Sequence, residues 1–138
     1  MAYDVIFFGG TGDLAWRKLM PAMYEAFRHG ALPGAGRILA AARERHDTAS
    51  YRLWLRDRFK DLSWDEAFCE KAFEQFAESL HYLPMDLSDP SSYEQLRAWI
   101  DRQDNQAVVV YLATAPKLFT QICLSLGKAG LNRPNVRI

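Results

Sequence analysis

With 138 residues, 49% of them apolar and 25% charged, the chain has the composition of an ordinary globular domain. Its 17 basic residues balance 17 acidic ones, which argues against nucleic acid or an anionic membrane as a partner. The apolar runs are too short to span a membrane, and no signal peptide is recognisable. We expect Cys69 and Cys123 to be buried and reduced, and therefore a cytoplasmic protein.

Apolar runs typical of strands alternate with stretches of helical periodicity along the chain. Strands are expected at Tyr3–Phe8, Arg37–Ala42, Leu80–Met85, Val108–Ala113 and Val136–Ile138. Helices are expected at residues 13–29, with a kink or break at Pro21, and at 50–62, 64–80, 89–103 and 116–129. This alternation predicts an α/β fold, in which helices cover a parallel sheet.

Local signals mark the ends of several of these helices. Ser63 and Glu66 form a capping box before the third helix, and Asp89–Pro90 supplies an N-cap and a first-turn proline for the fourth. Gly30 and Gly130 follow two of the helices, where glycine commonly ends a helix. The chain stops just after its fifth strand begins, so we expect residues 1–138 to be one domain of a longer protein.

A glycine-rich turn lies where the first strand leads into the first helix. Gly10-x-Gly12-x-x-Ala15 matches the dinucleotide-binding fingerprint in its Gly/Ala form, and Gly9-x-x-Gly12-x-x-Ala15 matches a looser variant. Glycine is needed there because the backbone must turn sharply and approach a pyrophosphate without an intervening Cβ. The free N–H groups and the dipole of the helix N-terminus then favour phosphate. The turn therefore predicts a phosphate cradle, and the fold a Rossmann-type doubly wound parallel sheet.

The charged residues after the second strand bear on the choice of coenzyme. In this fold an acidic residue there binds the 2′-hydroxyl of NAD, whereas an arginine accommodates the 2′-phosphate of NADP. Arg43 is the first charged residue after the strand, and its planar guanidinium suits phosphate. Glu44 follows it, and a carboxylate repels a phosphate dianion. The sequence favours NADP without excluding NAD.

The stretch from Gly9 to Tyr24 resembles the opening motif of the glucose-6-phosphate dehydrogenases. That family reads Gly-x-Ser/Thr-Gly-Asp-Leu-Ala, then basic residues, Leu or Ile and a proline, and the Asp-Leu-Ala extension is more specific than the glycines. Arg43 matches the coenzyme arginine of the family. Residues 111–116 match its Tyr-x-x-x-Ala/Pro-Pro turn after the fourth strand, and residues 85–87 its Asp-Val/Leu pair after the third.

The resemblance implies a role for each matching position. The expected coenzyme-binding residues are Gly9, Gly10, Thr11, Gly12, Asp13, Leu14, Arg43, Asp86, Leu87, Ala115 and Pro116. Within that set Asp86 and Leu87 are expected on the adenosine side, and Ala115 and Pro116 beside the nicotinamide. Lys18 is expected near the junction of nicotinamide and substrate, although an exposed helix lysine is an equally good interpretation. Trp16 departs from the family, and the sequence alone offers no role for it.

The resemblance also implies a reaction, the oxidation of glucose 6-phosphate to 6-phosphogluconolactone by hydride transfer to NADP, which opens the pentose phosphate pathway. The catalytic Glu-Lys-Pro and Asp-His-Tyr-Leu-Gly-Lys segments of the family are absent from the chain. His29, His46 and His81 are placed as surface or packing residues, and no metal-ligand cluster is present. We therefore expect no catalytic residue and no activity in this chain alone, and a homo-oligomer only for the full-length protein.

Two other functions fit the glycine turn. A short-chain dehydrogenase or nucleotide-sugar epimerase would carry a Tyr-x-x-x-Lys pair, and no tyrosine here has a lysine four residues on. A non-enzymatic module that senses NADP would need only the cradle. A Glu-Lys-Pro segment following Ile138 would favour the dehydrogenase, and its absence the sensor.

Overall fold

Five parallel strands form one sheet in a computed structural model that describes residues 3–30, 36–61, 70–102 and 107–138. The strands are β1 (Tyr3–Phe8), β2 (Arg37–Ala42), β3 (Leu80–Pro84), β4 (Ala107–Leu112) and β5 (Val136–Arg137). Their order is β3-β2-β1-β4-β5, so the direction of winding reverses between β1 and β4. The predicted α/β, doubly wound parallel sheet is confirmed.

Helices connect successive strands. They are α1 (Met20–Arg28), α2 (Thr48–Asp61), α3 (Glu70–Ala77), α4 (Pro90–Ile100) and α5 (Phe119–Lys128). The Asp89 side chain accepts a hydrogen bond from the backbone N–H of Ser91, which confirms the predicted cap of α4. The capping box predicted at Ser63 and Glu66 lies outside the described residues.

The helix expected over residues 13–29, with a kink or break at Pro21, is divided into two parts. A π-helical turn, Ala15–Leu19, precedes α1, and the N–H of Met20 donates to the carbonyl of Ala15 five residues earlier. Pro21 has no N–H to donate to the preceding turn, which accounts for an irregularity at this point. The break expected at Pro21 is thus present, but as a change of helix type.

Each face of the sheet buries its own set of apolar residues. On one face α4 and α5 pack against β1, β2 and β4, with Ile6, Phe8 and Val110 contributed by the strands. On the other face α1, α2 and α3 contribute an aromatic cluster in which the Tyr24 and Phe59 rings lie 5.6 Å apart. Neighbouring side chains of a strand point to opposite faces of the sheet, so Phe7 of β1 belongs to the second set and Ile6 and Phe8 belong to the first.

Cys123 is a free thiol, as expected, but its predicted burial is wrong, because it is exposed. Helix α5 buries Ile122 and Leu126 against the sheet, four residues apart on one face. Cys123 is the next residue after Ile122, and it is therefore rotated by more than a quarter turn from that face. Cys69 lies outside the described residues.

A buried ion pair holds the amino end of the sheet. The Asp4 side chain is 0% exposed and that of Arg37 14%, and the guanidinium donates to both carboxylate oxygens at 2.8 Å. The same guanidinium donates to the carbonyls of Trp99 and Ile100 and lies 3.8 Å from the Trp99 ring centroid. Arg37 thereby ties β1 and β2 to the end of α4.

We expect Arg37→Ala to lower the free energy of unfolding by about 3–5 kcal/mol, because it leaves the Asp4 carboxylate buried without its cation. Urea denaturation followed by circular dichroism measures this loss. Arg133→Ala is the matched control, since Arg133 pairs with Asp101 at the surface and should cost less than about 1 kcal/mol. Equal losses in the two variants would contradict this assignment.

Candidate functional site: a cleft at the carboxyl ends of the strands

A cleft of about 530 Å³ opens at the carboxyl edge of the sheet, where the winding reverses between β1 and β4. Segments that follow four different strands line it. The lining residues are Gly9, Thr11, Gly12, Ala41, Ala42, Arg43, Glu44, Met85, Leu87, Ala113, Thr114, Lys117 and Leu118. Open α/β sheets bind their ligands at such a reversal, so this cleft is the candidate binding site.

The glycine turn is held very close to the strands on either side. The N–H groups of Gly9 and Gly10 both donate to the carbonyl of Ala41 at the end of β2, at 2.8 and 3.2 Å. Gly9 has a φ of +86°, and a Cβ there would lie 2.5 Å from the carbonyl oxygen of Ala113. A Cβ on Gly10 would lie 2.5 Å from that of Ala40. Only glycine fits at either position without displacing backbone.

Two tyrosine hydroxyls donate hydrogen bonds to backbone carbonyls at this edge of the sheet. The buried Tyr51 hydroxyl, on α2, donates to the carbonyl of Gly10 at 2.7 Å. The Tyr82 hydroxyl, on β3, donates to the carbonyls of Ala42 and Glu44 at 3.2 and 2.7 Å. Burial raises the pKa of both phenols well above the usual value. Both therefore remain hydrogen-bond donors at neutral pH.

Charged groups of opposite sign meet at the cleft. Arg43 and Lys117 supply cations from the segments after β2 and β4, and Glu44 supplies a carboxylate. The Thr11 hydroxyl donates to the Glu44 carboxylate at 2.6 Å, which links the glycine turn to the end of β2. A second hollow, lined by Arg43, Arg45, Pro84, Met85 and Asp86, adjoins the cleft through Arg43 and Met85.

The structure brings about half of the predicted coenzyme residues to the cleft wall. Those that line it are Gly9, Thr11, Gly12, Arg43 and Leu87. Asp86 lies in the adjoining hollow, where its carboxylate accepts hydrogen bonds from the N–H and hydroxyl of Ser88, which lower its pKa. Gly10 is buried against Ala40 and supports the turn rather than lining the cleft.

The other predicted residues lie outside the cleft lining. Ala115 and Pro116 are exposed just beyond Thr114, and Asp13, Leu14 and Lys18 are exposed along the start of the first helix. Trp16 has a packing role that its sequence did not reveal. Its indole N–H donates to Asp13, and the guanidinium of Arg58 on α2 lies 5.8 Å from its ring centroid. Trp16 thus bridges the π-helical turn and α2.

The three histidines lie away from the cleft lining. His29 is exposed after α1, and His46 packs among the rings of Tyr51, Trp54 and Tyr82. His81 packs edge-on against Trp99, and burial together with nearby arginines lowers its pKa. The surface or packing interpretation of these residues agrees with their positions.

Eight residues of the cleft lining were not among the expected coenzyme-binding residues: Ala41, Ala42, Glu44, Met85, Ala113, Thr114, Lys117 and Leu118. Thr114 and Lys117 flank the Ala115–Pro116 pair, so a wider window around that motif would have included them. Met85 precedes Asp86 directly. The hydrogen bonds from Tyr51 and Tyr82 could not be predicted from a local motif, because each tyrosine lies about 40 residues from the carbonyl that it binds.

Two features of the cleft other than the glycine turn suit a polar ligand that carries phosphate. The Thr114 hydroxyl oxygen is buried yet has no hydrogen-bond partner among the described residues, and Thr114 lines the cleft. A buried polar group without a partner is costly, so this hydroxyl is available to a polar ligand. The cations of Arg43 and Lys117 add complementarity to phosphate.

Comparison with known proteins agrees with this geometry. Residues 6–138 match the family model described as "Glucose-6-phosphate dehydrogenase, NAD binding domain". The chain belongs to this family. Curated relatives named glucose-6-phosphate 1-dehydrogenase include those of Mycolicibacterium smegmatis, 37% identical over 98% of the chain, and Gluconobacter oxydans, 33% identical over 99%. The chain spans 28% of the length of each.

Solved structures of glucose-6-phosphate dehydrogenases share the fold. The Mycobacterium avium enzyme superposes with a TM-score of 0.85 at 28% identity, over 99% of this chain and 29% of its own. A glucose-6-phosphate dehydrogenase solved with glucose 6-phosphate gives a TM-score of 0.81 at 22% identity, over 97% of this chain and 28% of its own. The second likeness bears on the fold alone.

No helix in ranges 3–30, 36–61, 70–102 and 107–138 has both the length and the apolar character needed to cross a membrane. Over the same ranges, no group of three or more His, Cys, Asp or Glu side chains is arranged to hold a metal ion.

We expect Tyr51→Phe to weaken coenzyme binding and to lower the free energy of unfolding by about 1–3 kcal/mol, because the Gly10 carbonyl loses its buried donor. Calorimetric titration and urea denaturation measure the two effects. Tyr111→Phe is the control, since Tyr111 is 43% exposed and does not line the cleft. A Tyr51→Phe variant that binds and unfolds like Tyr111→Phe would show that the bond does not support the turn.

Proposed function

We propose that this chain is the coenzyme-binding domain of a glucose-6-phosphate dehydrogenase and that it binds NADP and, more weakly, NAD. The observation that carries the proposal is the cleft at the reversal point, lined by the glycine turn, in a chain that belongs to this family. Gly9, Thr11 and Gly12 would hold the pyrophosphate, and Arg43 the 2′-phosphate. Leu87 would border the adenosine, with Asp86 beside it.

The nicotinamide end of the coenzyme would lie on the β4 side, beside Thr114, Ala115 and Pro116. Lys18 remains a proposed contact at the substrate junction, although it is exposed and outside the cleft lining. Bound NADP would supply the acceptor for a hydride from glucose 6-phosphate. The residues of this chain bind and orient it, because the glycine turn fixes the phosphates and Thr114 offers a hydroxyl near β4.

The reaction proposed for the whole protein is the oxidation of glucose 6-phosphate to 6-phosphogluconolactone. Support comes from the names of relatives that align with nearly the entire chain. Family membership also favours this function over a short-chain dehydrogenase. A cytoplasmic location, an oligomeric full-length protein and the inactivity of this chain alone stay predictions.

We expect Gly12→Val to abolish NADP binding while the fold survives. A Cβ at Gly12 would lie 3.2 Å from the carbonyl oxygen of Gly9. We expect the valine methyl groups to occupy the space that the proposal gives to the pyrophosphate. Calorimetric titration with NADP tests the proposal directly. Gly127→Val is the matched control, because a Cβ on Gly127 meets nothing within 4 Å. Unchanged NADP affinity in Gly12→Val would remove the cradle assignment.

We expect Arg43→Ala to weaken NADP binding by about 1.5–3 kcal/mol, the typical value of a charge-assisted hydrogen bond, and NAD binding far less. Dissociation constants for both coenzymes measure the difference. Arg43→Lys keeps the charge but loses the planar fork, and it should recover part of the NADP affinity. Equal losses for the two coenzymes would show that Arg43 does not contact the 2′-phosphate.

A further inference from the structure

Glu44 is the one acidic side chain that lines the cleft within the described residues. It follows Arg43 directly at the carboxyl end of β2, and both its backbone carbonyl and its carboxylate accept hydrogen bonds. Its backbone carbonyl accepts a hydrogen bond from the Tyr82 hydroxyl at 2.7 Å, and its carboxylate oxygen Oε2 accepts one from the Thr11 hydroxyl at 2.6 Å. Glu44 is exposed to solvent, and these two hydrogen bonds orient its carboxylate beside the glycine turn.

The bond from Thr11 leaves most of the accepting capacity of the carboxylate unused. A carboxylate has about four lone-pair positions, and Thr11 occupies one of them. Arg43 and Glu44 form no ion pair with each other among the described residues. A cation and an anion thus stand side by side at the end of β2, each available to a ligand.

These two groups have opposite preferences at this place in the fold. A carboxylate at the end of the second strand accepts the 2′-hydroxyl of an adenosine ribose, and a guanidinium receives a 2′-phosphate. The Glu44 carboxylate lies in the main cleft beside the glycine turn. Arg43 also lines the adjoining hollow together with Arg45, which offers a phosphate a place outside the main cleft.

We propose that Glu44 selects between coenzymes: its carboxylate, oriented by the Thr11 hydroxyl, accepts a ribose hydroxyl of NAD and repels the 2′-phosphate of NADP. The proposal rests on the proposed coenzyme-binding function and adds a residue that opposes Arg43. Thr11 acts as a positioning residue, because its hydroxyl orients the Glu44 carboxylate. NADP binds with the help of Arg43 against the charge of Glu44, and NAD binds with the help of Glu44.

Glu44→Gln in the full chain tests the selection. Dissociation constants for NADP and NAD are measured by calorimetry at low ionic strength, where the repulsion is least screened. The ratio of the NAD constant to the NADP constant should rise by about tenfold or more, because NADP binds more tightly and NAD more weakly. Glu74→Gln, which removes the same charge from an exposed position outside the cleft lining, should leave the ratio unchanged.

Thr11 is tested by a pair of variants that differ in the hydroxyl. Thr11→Val removes the donor to Glu44 and should move the ratio in the same direction as Glu44→Gln, whereas Thr11→Ser should keep the wild-type ratio. Adding Thr11→Val to Glu44→Gln should change the ratio no further, because its effect passes through the carboxylate. A Thr11→Val variant that weakens both coenzymes equally would overturn the positioning role.

The outcomes separate this proposal from the function on which it rests. If the wild-type chain binds neither coenzyme, the proposed function fails and the selection by Glu44 fails with it. If the chain binds coenzyme and Glu44→Gln leaves the ratio at its wild-type value, only the selection by Glu44 is overturned. A ratio that falls in Glu44→Gln also overturns it, because the carboxylate would then be supporting NADP.

Discussion

The turn after β1 lies between β2 and β4 only because Gly9 and Gly10 have no side chains. A Cβ on the first would meet the Ala113 carbonyl, and a Cβ on the second would meet Ala40. The two N–H groups converge on the single carbonyl of Ala41, so the turn is anchored to β2 while it touches β4. This approach sets the relative position of the cleft walls that follow β1, β2 and β4, since the ends of these three strands meet at the turn.

Much of the fold follows from signals that act over a few residues. Apolar runs such as Val108–Tyr111, the cap at Asp89 and the glycine after β1 each depend on near neighbours, and the elements they predict are present. The sequence predicted a kink or break at Pro21, but not that a π-helical turn would form just before it. Pro21 signals that a donor is missing, but it does not say which hydrogen-bond pattern replaces the regular one.

The candidate site was predicted only where a single motif carries it. The glycine turn and Arg43 were recognisable, and both line the cleft. The roles of Tyr51 and Tyr82 were not recognisable, because each hydroxyl binds a carbonyl about 40 residues away. From sequence alone, a tyrosine in a strand or an amphipathic helix cannot be distinguished from any other core residue. The predicted burial of Cys123 was wrong for a related reason. Cysteine is commonly buried, but this residue lies on the exposed side of α5.

The hydrogen bond from Tyr51 to Gly10 has a consequence for protein engineering. Residues 9–15 alone do not carry the conformation of the turn, since a helix that begins at Thr48 supplies one of its contacts. A chimera that transplants the glycine segment into another α/β scaffold would need a tyrosine at the equivalent position of the helix that follows its second strand. Recombination between related domains should therefore preserve the loop and this helix together, and crossover points between residues 15 and 48 would separate them.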